Sequence, residues 1–376
     1  MNTRPTSIVL NLVRSFAAFT VLGFFAGIAP AQTKLVTAVR DGSGDLKLIS
    51  WTEAGVRLNG PGASAGSVSQ VSAVRVGLSN RMVTAVRDGG GNLKVIAWRV
   101  PFNGQIARLQ DGQAGAVSSI SAVSVPTGDR IVTAVRDGGG DLKVIVWNVS
   151  PAGVVNRMPG EGQAGAVSVI SSAFIGTSGT ILATAVRDGS GNLKIITWRL
   201  GVTGVIARLQ EASAGAVSEI SAIAQGFNVL VTAVRDGGGN LKLIGWTVAA
   251  NGAITRTGET QAGDATRISA FHLVDARLAT AVRDGGGNLK VITWNRTPTQ
   301  FTRTGEAVAG AVSAISGCTT STLVGAPFIA NFQTSVRDGS GDLKIIPWRS
   351  STQGLTRLSP GASAGAVSVI STACFR

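Results

Sequence analysis

The sequence predicts an all-β repeat fold, and three observations carry that prediction. One phrase recurs seven times along the 376 residues, and each copy ends on one of the protein's seven tryptophans. Fifty glycines punctuate a chain whose apolar content is mostly Val, Ile, Leu and Ala, the composition of strands joined by tight turns. At 44% hydrophobic and 14% charged residues, the chain carries enough apolar matter for a packed interior.

The first thirty residues differ from the rest. Arg4 and Arg14 precede an apolar run from Phe16 to Ile28, and Ala29-Pro30-Ala31 offers small residues at a cleavage point. Residues 1–31 therefore read as a secretory signal peptide, because the run is short of the roughly 20 apolar residues a membrane-spanning helix needs. The expected location is secreted or periplasmic, with no transmembrane span after cleavage.

The repeated phrase runs from Val36 to Trp51 in its first copy, and its tryptophans are spaced 47, 49, 51, 48, 48 and 54 residues apart. A second phrase follows each copy, as from Gln113 to Ser121, with its glycine at Gly66, Gly115, Gly165, Gly215, Gly263, Gly310 and Gly365. Only the fifth, Gly263-Asp264-Ala265-Thr266-Arg267, departs much. One unit holds four strand-like runs: Ile131 to Val135, Leu142 to Trp147, Val154 to Met158, and Ala166 to Ala173. Four antiparallel strands in about 49 residues make a propeller blade. A β-helix needs shorter rungs and a β-trefoil shows three repeats.

The expected fold over residues 32–376 is thus a seven-bladed β-propeller of four-stranded antiparallel blades. The chain enters on a Val-Thr-Ala-Val strand and leaves on Val367 to Ala373, so the C-terminal strand closes the ring. The Arg-Asp-Gly hairpins and Ala-Gly-Ala-Val-Ser links share one uniform rim, while the turns opposite vary. Pro347 removes a ladder donor from its strand, which predicts a local distortion.

Charge follows the repeat. Removal of Arg4 and Arg14 takes the formal charge from +14 to +12. Each hairpin supplies an arginine (Arg40, Arg87, Arg136, Arg187, Arg235, Arg283, Arg337) and an aspartate (Asp41, Asp88, Asp137, Asp188, Asp236, Asp284, Asp338). A lysine follows (Lys47, Lys94, Lys143, Lys194, Lys242, Lys290, Lys344), then the tryptophan (Trp51, Trp98, Trp147, Trp198, Trp246, Trp294, Trp348). These are the ligand-binding candidates, as up to seven equivalent polar pockets. A third cation recurs further on, at Arg57, Arg108, Arg157, Arg208, Arg256, Arg303 and Arg357. A basic surface of this kind attracts acidic glycan or another anionic polymer, with affinity that falls as salt rises. The same residues also have a structural role open to them. Asp accepts bonds from turn amides, Gly42 and Gly44 take positive φ, Arg pairs or stacks, and Trp packs between blades.

Catalytic chemistry finds little purchase. One histidine, His272, and two cysteines leave no repeated centre, and no nucleophile elbow, phosphate loop or zinc spacing occurs. The Asp-x-x-x-Asp/Asn turn is not an EF-hand loop. No cofactor, metal site or specific nucleic acid is implied, and the chain reads as a non-enzyme.

The phrase from Val186 to Trp198 resembles those of bacterial secreted β-propellers and is similar in layout to seven-bladed propeller lectins. That resemblance implies non-catalytic, multivalent binding of glycan between blades, with Arg40, Asp41, Lys47, Trp51 and their counterparts as the matching positions. The alternative is a structural or protein-interaction scaffold with no small ligand. Cys318 and Cys374 follow corresponding strands of the last blade and of the blade the C-terminus completes. A disulfide between them would lock the seam.

Overall fold

The computed structural model describes residues 34–58, 62–176, 178–323 and 328–375; the expected leader at residues 1–31 lies outside them. The described residues form strands and turns, and none of their helices is long and apolar enough to cross a membrane. Each copy of the phrase lies in a four-strand antiparallel group. In the fourth group the order is residues 167–175, Ile181–Asp188, Asn192–Leu200, then residues 206–216. The Val-Thr-Ala-Val and Leu-Lys-Ile-Ile segments are the middle strands. They are rich in β-branched residues and buried on both faces, as strands paired on two sides and covered above and below must be.

The fourth strand does not stop where the sequence predicts a turn. Ile206–Gln225 is continuous, and its second half is the first strand of the next group, against Val229–Asp236. Likewise the runs expected at Val154 to Met158 and Ala166 to Ala173 are two parts of one strand, Val155–Ile175. Gly165 reads as punctuation, yet the ladder runs through it: Leu142 faces Ala164 and Asp141 faces Ala166, a bulge of one residue.

First strands of successive groups lie side by side. Ala122, Ala222 and Ala270 each donate a backbone N–H to the Oγ of Ser72, Ser171 and Ser221, at 2.9 Å. Ala73 makes the same 2.9 Å bond to Ser371, far away in sequence. The strand Ala362–Phe375 explains this contact. Residues 362–366 pair with Asp342–Ser351 in the seventh group, and residues 367–375 pair with Lys34–Asp41 in the first. Cys318 and Cys374 are disulfide-bonded across these two groups.

The apolar core lies between groups rather than within one. Trp147 and Ile145 of the third group pack on Val83 and Val95 of the second, and Trp198 packs on Val132 and Val144 of the third. Trp51 of the first group meets Leu343 and Ile345 of the seventh. Each tryptophan removes roughly 200 Å² from water, worth about 5 kcal/mol before its entropy cost.

Pro347 causes no register shift against its second-strand neighbour, where it faces Gln333. Toward the fourth strand it occupies a place that other groups also leave unpaired, the bulge between Ile96 and Trp98 in the second. In the seventh group that gap is wider: Ile345 faces Ala362 and Trp348 faces Arg357, so residues 358–361 leave the ladder opposite Pro347, and the expected distortion falls on the fourth-strand side alone.

Candidate functional site: the hairpin rim and the crevices beside it

The hairpin is built by its aspartate. Asp41 Oδ1 accepts the N–H of Ser43 at 2.9 Å and of Asp45 at 3.0 Å, and Asp88, Asp137, Asp188, Asp236 and Asp338 repeat both bonds. The Ser340 hydroxyl, with backbone amides after it, holds the Asp338 carboxyl below the usual aspartate range. Gly44 has φ +91°, while Gly42 is not in the left-handed region, so only the second glycine of the expected pair needs its freedom. Arg40 faces Leu46 and Val39 faces Lys47, which keeps the two cations from standing opposite one another.

In six units the hairpin arginine fastens its turn to the links on both sides. Arg40 donates from Nε to Val68 O at 2.7 Å and from Nη1 to Ser368 Oγ at 3.0 Å. Arg187 does the same to Val217 O and Ser168 Oγ. Val217 N in turn donates to Gly191 O at the hairpin tip. Hairpins and links therefore lie together, as the sequence predicts.

The tryptophans are 0–2% exposed, and each indole N–H donates to a buried threonine hydroxyl at 2.9–3.0 Å. This corrects the candidate set: Trp51, Trp98, Trp147, Trp198, Trp246, Trp294 and Trp348 are packing residues with no face for a ligand. Thr37 and its equivalents, unremarked in the sequence, satisfy the one polar atom that burial would otherwise strand.

Of the remaining candidates, the aspartate and the lysine meet in a crevice between one link and the next hairpin, joined there by the fourth-strand arginine, while the hairpin arginines Arg87, Arg187 and Arg235 are not among its lining. Between the first and second units it is lined by Gly66, Asp88, Lys94, Ile96 and Arg108 and holds about 270 Å³. Equivalent residues line crevices of about 270 Å³ beside Lys194 and Arg208, and about 220 Å³ beside Lys242 and Arg256. Among the described residues, the aspartate's Oδ2 is bonded within the protein only at Asp236, by Gln261 at 2.7 Å.

One repeated feature escaped the sequence reading, which found no recurring acid beyond the hairpin. A carboxylate sits between the lysine and the fourth-strand arginine in five units: Asp111, Glu161, Glu211, Glu259 and Glu306. Lys143 reaches Glu161 at 3.2 Å, and Arg303 reaches Glu306 at 2.6 Å. The signal was present as an acid three or four residues after the arginine, but its offset varies by one across the units. These acids also reduce the share of positive charge that the repeat carries.

No family model matches the chain, and no curated protein matches it. Solved structures do. A proposed 6-phosphogluconolactonase from Bacteroides uniformis aligns at TM-score 0.63 and 12% identity, over 91% of this chain and 99% of its own. The SapL1 lectin, solved with alpha methyl fucoside, aligns at TM-score 0.52 and 12% identity over 80% of this chain and 97% of its own. The fungal Aleuria aurantia lectin, a six-bladed β-propeller that recognises fucose, aligns at 0.51 and 14%, over 80% and 97%. At such identities the likeness extends to fold alone: this chain is all-β and propeller-like.

Proposed function

We propose that the chain is a secreted or periplasmic seven-bladed β-propeller, closed by its C-terminal strand, that binds carbohydrate without catalysis at repeated crevices between units. The observation that carries this reading is the recurrence of one crevice, with the same Asp, Lys and Arg, at three places in the chain. Volumes of 220–270 Å³ fall below the roughly 300–1,000 Å³ of drug-sized pockets, which suits a single sugar residue. At Asp88 and Asp188 the Oδ2 accepts a sugar hydroxyl, at Asp236 it does so in place of Gln261, and the lysine and fourth-strand arginine donate to others. Each site is weak alone, and repetition on one rim supplies avidity for a polymeric glycan at the cell exterior. The net positive charge favours acidic glycan or another anionic polymer. The disulfide supports an oxidising compartment. The two fucose-recognising neighbours support a sugar as ligand.

A second reading has its own support. The arginines, the aspartate Oδ1 atoms and the tryptophans are largely engaged inside the protein, as a scaffold without small ligand requires. A glycan array on the intact protein, followed by calorimetry, separates the readings. The expected result is several equivalent sites per chain, of which Lys194→Ala with Arg208→Ala weakens one about tenfold and leaves the others unchanged, with all weakened by salt if the glycan is acidic. A folded protein that binds nothing on the array leaves the scaffold. Hydrolysis of 6-phosphogluconolactone, the activity proposed for the Bacteroides protein, would replace both with an enzyme.

A further inference from the structure

The largest cavity among those described, about 420 Å³, is not one of the repeated crevices. It opens where the first strands of the fifth, sixth and seventh units begin, and three hydroxyls border it: Ser218, Thr266 and Ser313. Arg235, Arg267 and Arg283 supply three guanidinium groups, against the single carboxylate of Glu219. The region coincides with the one link that departs from the repeat, at Asp264 to Arg267.

Two consequences of that departure make the hollow chemically distinct. At the position Arg267 occupies, the other units carry Gln70, Ser119, Val169, Glu219, Ala314 and Val369, so the added cation is specific to this unit. In the ladder Arg267 stands directly opposite Arg283, a repulsive pairing that Glu219 relieves only in part through its ion pair with Arg267. In six units the hairpin arginine's Nε donates to a link carbonyl, but in the fifth the buried Nε of Arg235 has no acceptor. Its Nη1 still reaches Ser218 Oγ at 3.0 Å, as Arg283 Nη1 reaches Thr266 Oγ1 at 3.0 Å. The wall is therefore rich in donors and in positive charge, with one carboxylate to balance it.

We propose that this hollow binds one oxyanion, a sulfate or carboxylate group carried on a saccharide. Arg267 and Arg283 meet its charge, and the hydroxyls of Ser218 and Ser313 supply neutral donors, while that of Thr266 is committed to Arg283 O. Glu219 acts as the internal competitor that an incoming anion displaces from Arg267. The proposal stands on these residues and does not require that the crevices bind sugar.

Calorimetry at low ionic strength with glucose 6-sulfate, glucose and inorganic sulfate tests it on the full chain. One glucose 6-sulfate per chain is expected to bind in this hollow, with no heat from glucose there. Arg267→Gln, an exposed change, should weaken that binding at least tenfold, while Glu219→Gln should tighten it several-fold. Tryptophan fluorescence and a thermal melt verify that both variants keep the fold. Equal affinity in wild type and Arg267→Gln, or weaker binding in Glu219→Gln, would overturn the site. Binding of inorganic sulfate without glucose 6-sulfate would overturn the saccharide assignment. A chain that ignores neutral glycosides yet keeps Arg267-dependent sulfate binding would refute the crevice reading and leave this one standing.

Discussion

The five middle units and the two that meet at the disulfide solve the same problem differently. In the second to sixth units the strand bearing the fourth-strand arginine is unbroken through the crevice, as in Ala107–Ser124 and Phe301–Leu323, and a carboxylate bridges that arginine to the lysine beside it. In the seventh unit the strand breaks into Gly354–Arg357 and Ala362–Phe375, with Pro360 between and Gly361 at φ +90°. A Cβ on Gly361 would lie 2.3 Å from Ile345 O, so only glycine lets the chain turn there. Arg57 in the first unit retains a single bridge to Trp51. Neither end unit has a carboxylate partner for its Lys-Arg pair among the described residues. The outer strand pairs on one side only, so a proline there costs little, and cohesion comes from elsewhere. At the seam it comes from Cys318–Cys374 and from a polar contact set absent in the middle units. Gln333 donates to Thr52 O at 3.0 Å, and Ser321 and Asn331 reach Glu53. A repeat protein can relax its pattern where its ends join, provided a bond from outside the pattern replaces what is lost.

The sharpest way to break this comparison is to remove that bond. Replacing both cysteines by serine, or reducing the protein, should cost about 4 kcal/mol in the chain-entropy account of a 56-residue separation. Urea unfolding with and without reductant measures it, and coincident curves would show that packing alone holds the seam. Next in size is the indole bond, which both kinds of unit share. Thr184→Val in a middle unit and Thr334→Val in the last should each cost about 1–3 kcal/mol by stranding a buried N–H. Unequal losses would mean that the seam changes the inner strands too. Smaller still is the bridging carboxylate: Glu211→Gln should cost about 0.5 kcal/mol, fading in high salt because the pair is half exposed. A salt-independent loss would point to packing instead of charge. The smallest effect concerns Asp338, whose carboxyl is held low first by the Ser340 hydroxyl. A depressed carboxyl adds stability above its ordinary pKa, and that stability is lost as pH falls through the folded value. Ser340→Ala should raise this value, so the carboxyl contributes less stability and its loss on acidification is complete at a higher pH; an unmoved Asp338 carboxyl resonance on NMR titration would contradict it.

How much of this was legible beforehand differs by element. The two middle strands of every unit, the Asp-built hairpin, and the partnership of Cys318 with Cys374 could all be read in advance, because each depends on local chemistry or on strict recurrence. For Pro347 the sequence predicted a distortion but not its side: register is kept against Gln333, and the interruption falls on the fourth strand, which only pairing reveals. The tryptophans were legible as packing residues as well as ligand candidates, and burial at 0–2% exposure settles them as packing. The carboxylates between lysine and arginine were visible as letters, but strand pairing was needed to bring residues 13 to 18 apart into one crevice.

By itself, then, the sequence determined the unit: its length, its strand-turn-strand centre and its charge, all of which follow from neighbours in the chain. The tertiary structure decided what each charge does. Arg40 and its equivalents look like a ligand-facing array in the sequence, yet their guanidinium groups are bound to link carbonyls and hydroxyls. In the fifth unit the altered link leaves Arg235 Nε without that carbonyl and sets Arg267 against Arg283. The physical reason is that a guanidinium's role depends on which acceptors come within about 3 Å, and those acceptors come from strands far away in the chain.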